Sequence, residues 1–465
     1  MTDALVAHAD GPAVPIRLAS AGEHEAVLAA LPPGLRAQAE LARFKGKAGD
    51  VATLASEAGP ALVLAGLGDS RAAQPLRALP AKLAAGLYAL EPRNGLGQDV
   101  GPSPSDVALA FALGSYRFDR YKQKHGEPGP RLVAPEGVDL EELRAISHAC
   151  ALARDMVNTP AADMGARQIE TIAREVAEAF GATTSVVVGD DLIEAGYPAV
   201  HAVGRAATPA RAARMIEIRW GQEGRPLVAL VGKGVVFDTG GLDIKPSASM
   251  RNMKKDMGGA AHALALARMA MAAKLPIRLA VLLPVAENAI AGDAMRPGDV
   301  LNTRKGLTVE VGNTDAEGRL ILADALARAA ELGPDLTLDF ATLTGAARTA
   351  VGPEIAPYYT DDDPLALAIE AAAKDAEDPV WRMPLWTSYE AAIESEVADV
   401  KNDGDAWAQA GSIIAALFLK KFAPAGPWAH FDIFAWNART RPGWAAGAEA
   451  QTIRGLYRML KQRYP

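Results

Sequence analysis

The sequence has few of the side chains that most often build compact metal and nucleophile sites. Its 465 residues include one cysteine, Cys150, and seven histidines that are scattered without an HExxH pattern or a helix-face pair. An internal disulfide is therefore excluded, and neither a histidine-based zinc site nor a cysteine–histidine nucleophile pair is expected. So little cysteine in a long chain is typical of a reducing compartment, and we expect a cytoplasmic protein.

The chain also lacks an excess of positive charge and long apolar runs. Its formal net charge is −8 and its isoelectric point is about 5.5, which argues against a nucleic-acid surface or binding to an anionic membrane. No apolar run reaches the length that spans a bilayer, and the first residues lack the basic and then apolar pattern of a secretory signal. We therefore expect no nucleic-acid or membrane partner.

Length and periodicity predict an α/β protein with two domains, because 465 residues exceed what one hydrophobic core usually supports. Short apolar runs alternate with helical patterns, which is typical of a largely parallel sheet covered on both faces. We predict a smaller N-terminal α/β domain, residues 1–140, and a larger C-terminal α/β domain, residues 141–465, with a mainly parallel central sheet. A Pro- and Gly-rich stretch at 124–143 favours a linker or a domain edge near that boundary. Strands are predicted at 61–68, 227–232, 276–284, 307–312 and 336–343, and helices at 75–90, 258–274 and 319–332.

The stretch NTDAEGRL, residues 313–320, places charged side chains at alternate positions. It follows a predicted strand and precedes a predicted helix, so we expect Asp315, Glu317 and Arg319 in a loop at the edge of the sheet where ligands bind. In an extended loop these side chains project to one side, and neighbouring carboxylates call for a cation between them.

A second charged, glycine-rich stretch, VGKGVVFDTGGLDIKPSASMRNMKKDMGGAA at 231–261, also leads from a predicted strand to a predicted helix. Glycines let the backbone bend tightly and approach a ligand closely. Carboxylate-rich loops suit divalent ions, and two ions that share carboxylates can activate a water and polarise a carbonyl or phosphoryl oxygen. From the residues alone, a solvated turn and a dinuclear metal site both remain open.

Taken together, these stretches resemble the dinuclear metallopeptidases of the leucyl aminopeptidase (cytosol aminopeptidase) family. NTDAEGRL is similar to the family signature, and the 231–261 stretch is similar to its metal and lysine loop. RDMVNTPAADMG, AENAIAGDAMRPGDVL and ATLTGAA occur in the expected order. The similarity is dense over residues 154–352.

The resemblance implies a role for individual residues. Asp238 and Glu317 would bridge two divalent cations, Mn or Zn, while Lys233 and Asp256 complete one site and Asp315 serves the other. Such a lysine ligand must be neutral. Lys245 would stay cationic and stabilise the oxyanion, and Arg319 would hold a bicarbonate ion as general base toward a bridging water. Thr342, Leu343 and Gly345 would contact the peptide, and Met253 would help to form the side-chain pocket.

The implied activity is hydrolysis of the first peptide bond of a short peptide, by a catalytic C-terminal domain in a homohexamer. Two other classes stay open, namely a dinuclear metal phosphoesterase and a non-catalytic relative that acts as a scaffold. The stretch that begins HFDIFAWN departs from better-known members. Phe434 and Asn437 are expected near the substrate pocket, where the bulk of Phe434 puts a preference for leucine in doubt.

Overall fold

The structure of the chain is a computed structural model. This structure describes residues 4–69, 72–91, 101–123, 128–404 and 409–465, and the chain divides into two compact units. Unit 1 comprises Met1–Ala151 with Asn437–Ala446, and unit 2 comprises Leu152–Trp436 with Gly447–Pro465. The predicted division after residue 140 stays a prediction. None of the helices in the described ranges combines the length and apolarity needed to cross a membrane.

Unit 1 is built on a six-stranded sheet of order β1-β6-β5-β2-β4-β3, in which only the β3–β4 pair is antiparallel. Alternation along β4 supplies two cores, because Val63 packs with Ile16 and Phe111, whereas Leu62 and Leu64 pack in a second cluster. The elements are β1 (Leu5–Val6), β2 (Val14–Ser20), α1 (His24–Ala29), α2 (Pro33–Leu41), β3 (Val51–Ser56), β4 (Gly59–Gly68), α3 (Leu79–Lys82), β5 (Leu87–Leu90), α4 (Pro104–Gly114), β6 (Arg131–Val133) and α5 (Leu140–Asn158), with a 3₁₀ helix at Gln74–Ala78.

Two predictions for this region were wrong in part. The helix predicted over 75–90 is short, because the 3₁₀ helix and α3 end at Lys82 and the last residues form β5, a strand inside the sheet. The linker predicted over 124–143 contains β6, which pairs with β1 and β5. Residues 124–127 of that stretch lie outside the described residues. Both segments are strands because they pair with neighbouring strands of the sheet, and a local sequence pattern does not reveal such pairing.

Unit 2 holds the elements that follow α5. They are α6 (Ala166–Ala179), β7 (Thr183–Val188), α7 (Asp191–Glu194), α8 (Pro198–Gly204), β8 (Arg214–Trp220), β9 (Leu227–Gly232), β10 (Gly234–Asp238), α9 (Ser247–Met250), α10 (Gly258–Ala272), β11 (Arg278–Asn288), β12 (Val300–Asn302), β13 (Thr308–Glu310), α11 (Glu317–Leu332), β14 (Leu336–Ala341), α12 (Gly345–Val351), β15 (Ala356–Tyr359), α13 (Asp363–Asp375), β16 (Val380–Met383), β17 (Val400–Lys401), α14 (Gly411–Lys420), β18 (Trp428–Asp432), β19 (Trp436–Asn437), β20 (Gly447–Ala448) and α15 (Ile453–Arg463), with 3₁₀ helices at Pro209–Arg211, Met253–Met257 and Thr387–Ile393.

The main sheet of unit 2 has the order β16-β15-β18-β14-β9-β11-β8-β7, and β10 also pairs with β11. Its centre, from β18 to β11, is parallel, whereas the pairs β15–β18, β11–β8 and β8–β7 are antiparallel. The predicted α/β class with a mainly parallel central sheet is therefore confirmed. Ligands in such sheets bind beyond the carboxyl ends of the parallel strands.

The segment around NTDAEGRL differs from its prediction. Strand β13 does not belong to the main sheet; it pairs with β12 and β17 in a separate three-stranded sheet. Glu317 and Arg319 lie in the first turn of α11 rather than in a loop, and only Asp315 lies before the helix. Their side chains are therefore directed by helix geometry and not by the alternation of an extended chain.

Helices α10 and α11 cover opposite faces of the central strands. Both contact β9 and β11, but the core cluster that contains α11 and α14 includes Ala229 and Val231 and no residue of α10. Residues two apart in a strand face the same side, so α10 packs on the other face. Every residue of α10 except Arg268 and Ala272 is buried or nearly so, which explains why its sequence is apolar all round.

A buried histidine ties α10 to the segment before α15. The Nε2 atom of His262 accepts a hydrogen bond from the Gln451 backbone N–H at 3.0 Å, so Nδ1 carries the proton that faces the Gly258 carbonyl at 2.6 Å. Burial lowers the pKa of His262 to about 4. His262 is therefore neutral in the folded protein at neutral pH.

We expect acid to destabilise the protein in part through His262. The unfolded chain protonates this ring near its ordinary pKa of 6.5, while the folded chain does so near 4. The contribution of the neutral ring is thus complete above pH 6.5 and is lost as the pH falls toward 4, by up to about 3 kcal/mol. The melting temperature, measured at a series of pH values between 6.5 and 4, should fall more steeply for the wild type than for His262→Gln. An equal fall in melting temperature for both proteins would contradict this prediction.

Candidate metal centre

The predicted site residues meet at the carboxyl ends of the central strands. Lys233 follows β9, Asp238 ends β10, and Thr342 follows β14. Asp256 lies in the 3₁₀ helix Met253–Met257 that precedes α10, and Glu317 is the first residue of α11. Segments from three regions of the sequence, 233–256, 317 and 342, therefore supply one cluster of polar side chains.

Close backbone packing sets the position of Lys233. Its N–H donates to the Phe340 carbonyl at 2.9 Å, and its carbonyl accepts from the Ala260 N–H at 2.8 Å. A Cβ on Gly259 would lie 2.1 Å from the Phe340 carbonyl oxygen, and one on Gly232 would lie 2.6 Å from the Ala260 Cα. Only glycine permits this approach, so the two glycines let β9, β14 and α10 converge behind the lysine.

Two lysine ammonium groups lie among four carboxylates. Lys233 Nζ is 2.8 Å from Asp256 Oδ2 and 2.8 Å from Glu317 Oε1. Lys245 Nζ is 2.8 Å from Asp238 Oδ2 and forms a second ion pair with Asp315. The lysines thus divide the carboxylates into two pairs, one around each ammonium group.

The carboxylates also approach one another. Asp238, Asp315 and Glu317 each place an oxygen so that all three atoms lie within 4.8 Å of one another. Asp256 Oδ2, Asp315 Oδ1 and Glu317 Oε1 are buried, and their close partners among the described residues are the two lysine ammonium groups. Buried carboxylates need compensating positive charge beside them. Converging carboxylate oxygens of this kind fit divalent cations.

Crowding of like charges changes the pKa values of these groups. Burial, reinforced by the charge of Asp238, raises the pKa of Glu317 to about 8 and that of Asp315 to about 6. Burial lowers the pKa of Lys233 and of Lys245, but the neighbouring carboxylates outweigh it and raise both pKa values above their usual range. The carboxylates therefore require positive charge beside them.

Asparagine side chains, which the sequence reasoning did not single out, hold the two loops of the cluster. Asn288 Nδ2 donates to Asp238 Oδ1 at 2.8 Å and to the Thr314 carbonyl at 3.1 Å. Asn402 Oδ1 accepts from the Gly312 N–H at 2.9 Å, and its Nδ2 donates to the Asn313 carbonyl at 2.8 Å. Asn288 lies within the motif AENAIAGDAMRPGDVL, which was the one signal for it in the sequence.

Asp432 positions the segment that was predicted to contact the peptide. This buried carboxylate accepts from the Leu343 and Thr344 N–H groups at 3.0 and 3.1 Å and from the Thr344 hydroxyl at 2.7 Å. The Thr342 hydroxyl donates to Asp256 Oδ1 at 2.8 Å. Thr342 therefore orients a predicted metal ligand, and Asp432 is a positioning residue whose only sequence signal was its place in HFDIF.

Arg319 is buried and borders the same cavity. One of its guanidinium nitrogens, Nη1, donates to the Asn402 carbonyl. Its Nε has no hydrogen-bond partner among the residues that the structure describes. A guanidinium group with an unpaired N–H at a cavity can receive an anion.

The cavity that contains the cluster has a volume of about 620 Å³. Its lining includes all the predicted site residues except the buried Glu317. The lining members are Lys233, Asp238, Lys245, Met253, Asp256, Asp315, Arg319, Thr342, Leu343 and Gly345.

Of the two C-terminal residues expected near the pocket, only Phe434 lines it. The expectation for Asn437 was wrong. Its side-chain amide donates to the backbone carbonyls of Trp444 and Ala445, at 3.2 and 2.8 Å, and so closes a local turn. An asparagine that hydrogen-bonds nearby backbone is common in turns.

The α/β fold and the carboxylate–lysine cluster fit a metal-dependent hydrolase. The profile of the cytosol aminopeptidase family, catalytic domain, matches residues 151–457, and that of the M17 aminopeptidase N-terminal domain matches residues 14–135. A probable cytosol aminopeptidase from Syntrophotalea carbinolica is 39% identical over 365 residues, which cover 75% of this chain and 73% of the relative. One from Geobacter sp. is 36% identical, with 91% of each chain covered.

Solved structures show the same relationship. The crystal structure of a cytosol aminopeptidase from Coxiella burnetii matches with a TM-score of 0.93 and 40% identity over the whole of both chains. The bottromycin maturation enzyme BotP in complex with Mn matches with a TM-score of 0.86 and 34% identity, with 97% of this chain and 99% of that chain covered. The chain belongs to the cytosol aminopeptidase family. It is an aminopeptidase, and the phosphoesterase and scaffold alternatives are not favoured.

We expect Gly318→Ala to lower aminopeptidase activity about tenfold or more. A Cβ at this position would lie 2.6 Å from both Cε and Nζ of Lys233, so the lysine must move, and small displacements at a catalytic site are costly in rate. Gly292→Ala, where no atom lies within 4 Å of the added carbon, is the matched control. The measurements are activity, bound metal and melting temperature. Unchanged activity of Gly318→Ala would show that the position of Lys233 is not critical.

Proposed function

We propose that this aminopeptidase removes the first residue of short peptides with two divalent metal ions in the cluster described above. The observation that carries the proposal is the convergence of carboxylate oxygens from Asp238, Asp315 and Glu317 within 4.8 Å of one another, with lysine ammonium groups as their counter-charges. BotP, a structural relative, is in complex with Mn, which supports Mn or Zn as the ions. Such ions supply Lewis-acid polarisation of a carbonyl and lower the pKa of a water molecule.

The grouping of side chains supports the predicted assignment of ligands. Asp256 and Lys233 would hold one ion and Asp315 the other, with Asp238 and Glu317 shared between them. The contacts of Lys233 with Asp256 and Glu317 fit the first group, and the approach of Asp315 to Asp238 and Glu317 fits the second. As a ligand, Lys233 must lose its proton, which a neighbouring dication favours by penalising the ammonium form.

Lys245 has the position and charge for oxyanion stabilisation. Its ammonium group lines the cavity beside Asp238 and Asp315, which keep it protonated. A fixed positive charge aimed at the developing oxyanion lowers the barrier to attack on the carbonyl. The backbone of Leu343 and Gly345, held by Asp432 through the same loop, would align the peptide against it.

Arg319 would hold bicarbonate, which supplies a general base. The unpaired Nε and the position of the side chain at the cavity support this role. Neither a histidine nor a glutamate lines the cavity among the described residues, so histidine, the side chain that most often acts as a general base, does not compete for the task.

We further propose a cytoplasmic homohexamer that acts on peptides and not on nucleic acids. The support is the family membership, together with the acidic isoelectric point. The mass of the assembly by light scattering tests the oligomeric state.

The metal assignment is tested with Glu317→Gln and Asp256→Asn. Each change removes one carboxylate charge with little change in shape, so both variants should bind less metal and lose at least about 100-fold in kcat on a leucyl anilide. Asp293→Asn, at an exposed carboxylate outside the cavity, is the matched control. Elemental analysis and melting curves accompany the assay. Full activity in either cluster variant would refute the assignment.

The anion assignment is tested with Arg319→Lys, which keeps the charge but loses the planar fork. Adding bicarbonate to a bicarbonate-free preparation should raise the rate of the wild type about 100-fold or more, as a general base does. The variant should respond much less at equal metal content. Chloride at the same ionic strength is the control, and an equal response of both proteins to bicarbonate would contradict the role of Arg319.

A further inference from the structure

A second group of charged side chains lies in the cavity and takes no part in the proposed chemistry. The guanidinium carbon of Arg348 is 4.2 Å from the ring centroid of Phe434, and Lys255 Nζ is 5.6 Å from the same centroid. All three residues line the cavity, as Met253 does. One wall of the cavity therefore carries an aromatic ring with two cations against it.

Neither cation is matched by a hydrogen-bonded anion within the described ranges. The side chain of Arg348, an exposed residue of α12, makes no hydrogen bond or ion pair with the described residues. Lys255 is only 5% exposed, and its nearest carboxylate oxygen, Asp256 Oδ1, lies 3.8 Å away, beyond hydrogen-bond distance. That carboxylate is also shared with Lys233. Lys255 is largely withdrawn from water and its carboxylate neighbour lies beyond hydrogen-bond distance, so an arriving carboxylate would be bound favourably.

The position of Arg348 relates this wall to the substrate. Helix α12 begins at Gly345, so Arg348 lies one turn beyond the loop that we assign to the peptide backbone. Lys255 directly precedes Asp256 and follows Met253, the residue predicted to form the side-chain pocket. The cations therefore border the space between the backbone loop and the pocket wall, which is where the side chain of a first residue enters.

We infer that the side-chain pocket selects peptides whose first residue is acidic, glutamate or aspartate, and that the carboxylate of this residue pairs with Arg348 and Lys255. The inference rests on the proposed function, because it assumes that the peptide lies along the loop 342–345. The ring of Phe434 stacks against the guanidinium group and limits its motion, which leaves the planar fork free for bidentate pairing. The same ring reduces the room for a branched apolar side chain.

The first measurement compares isosteric substrates. Dipeptides of the form Xaa-Gly, with Xaa as Glu, Gln, Asp, Leu or Lys, are assayed with the metal-loaded wild type in bicarbonate buffer. Glu and Gln differ by one charge at equal size, so their ratio of kcat/KM isolates the pairing. We expect Glu-Gly to exceed Gln-Gly about tenfold or more, and Lys-Gly to be the poorest. Added salt should reduce the ratio, because the Arg348 side of the pocket is exposed.

The second measurement tests the residue. Arg348→Gln should bring the Glu/Gln ratio close to one, and Arg348→Glu should reverse the order of Glu-Gly and Lys-Gly. Arg251→Gln, at an exposed arginine that follows α9 and does not line the cavity, should keep the wild-type ratio. Melting temperature and metal content establish that each variant is folded and loaded. A wild-type ratio in Arg348→Gln would overturn the inference.

The outcomes separate this inference from the proposed function. If the wild type cleaves none of the dipeptides, the proposed function fails and the inference fails with it. If it cleaves Leu-Gly and Gln-Gly at least as fast as Glu-Gly, the peptidase proposal stands and the acidic preference alone is overturned.

Discussion

Mutual repulsion among the carboxylates of Asp238, Asp256, Asp315 and Glu317 is the constraint on which the rest of this site depends. Two unit charges 4.8 Å apart repel by roughly 3 kcal/mol at an effective dielectric constant of about 20. Burial is the main cause of the raised pKa values of Asp315 and Glu317, and the charge of Asp238 adds to it. Such an arrangement is stable only with positive charge between the groups, which ammonium groups provide here and which divalent ions provide more effectively.

The scaffold has to hold these groups together against that repulsion. Gly232 and Gly259 bring the backbones of β9, β14 and α10 into direct contact behind Lys233. These three elements therefore cannot move independently of one another. Asn288 and Asn402 fix the loops that carry the acidic residues, and Asp432 fixes the loop opposite them. The side chains of Asn288, Asn402 and Asp432 form hydrogen bonds with backbone groups or with the predicted metal ligand Asp238. The protein therefore positions the cluster before any ion binds.

Charge on the wall of the cavity serves a separate purpose. The family match describes the reaction, but Phe434, whose ring Arg348 contacts, lies in the stretch where the chain departs from better-known members. Selectivity among first residues depends on a difference in binding energy between similar side chains. Apolar contacts discriminate such side chains weakly, whereas a positioned cation discriminates a carboxylate from its amide strongly. The same catalytic cluster can therefore serve different peptides when the wall changes.

Local features of the sequence were sufficient for much of this protein. The α/β class, the central strands β9, β11 and β14, and helices α10 and α11 follow from apolar periodicity, because burial on one or both faces imposes it. From the residues alone, the two charged, glycine-rich stretches left a solvated turn and a dinuclear metal site both open, and the roles of individual residues came from the resemblance to the cytosol aminopeptidase family.

Other features were decided only by tertiary structure. Strand β5 formed where a helix was expected, and β13 joined a separate sheet, because strand pairing is a contact between distant segments. Glu317 and Arg319 are presented by the first turn of a helix, Asn437 turns away into its own hairpin, and Asp432 reaches a loop almost ninety residues earlier. The sequence by itself determined which chemical groups and which central helices and strands this protein has, because composition and periodicity are local properties. The tertiary structure decided how close those groups lie to one another, since the distance between residues that are remote in the sequence is fixed only when the chain folds.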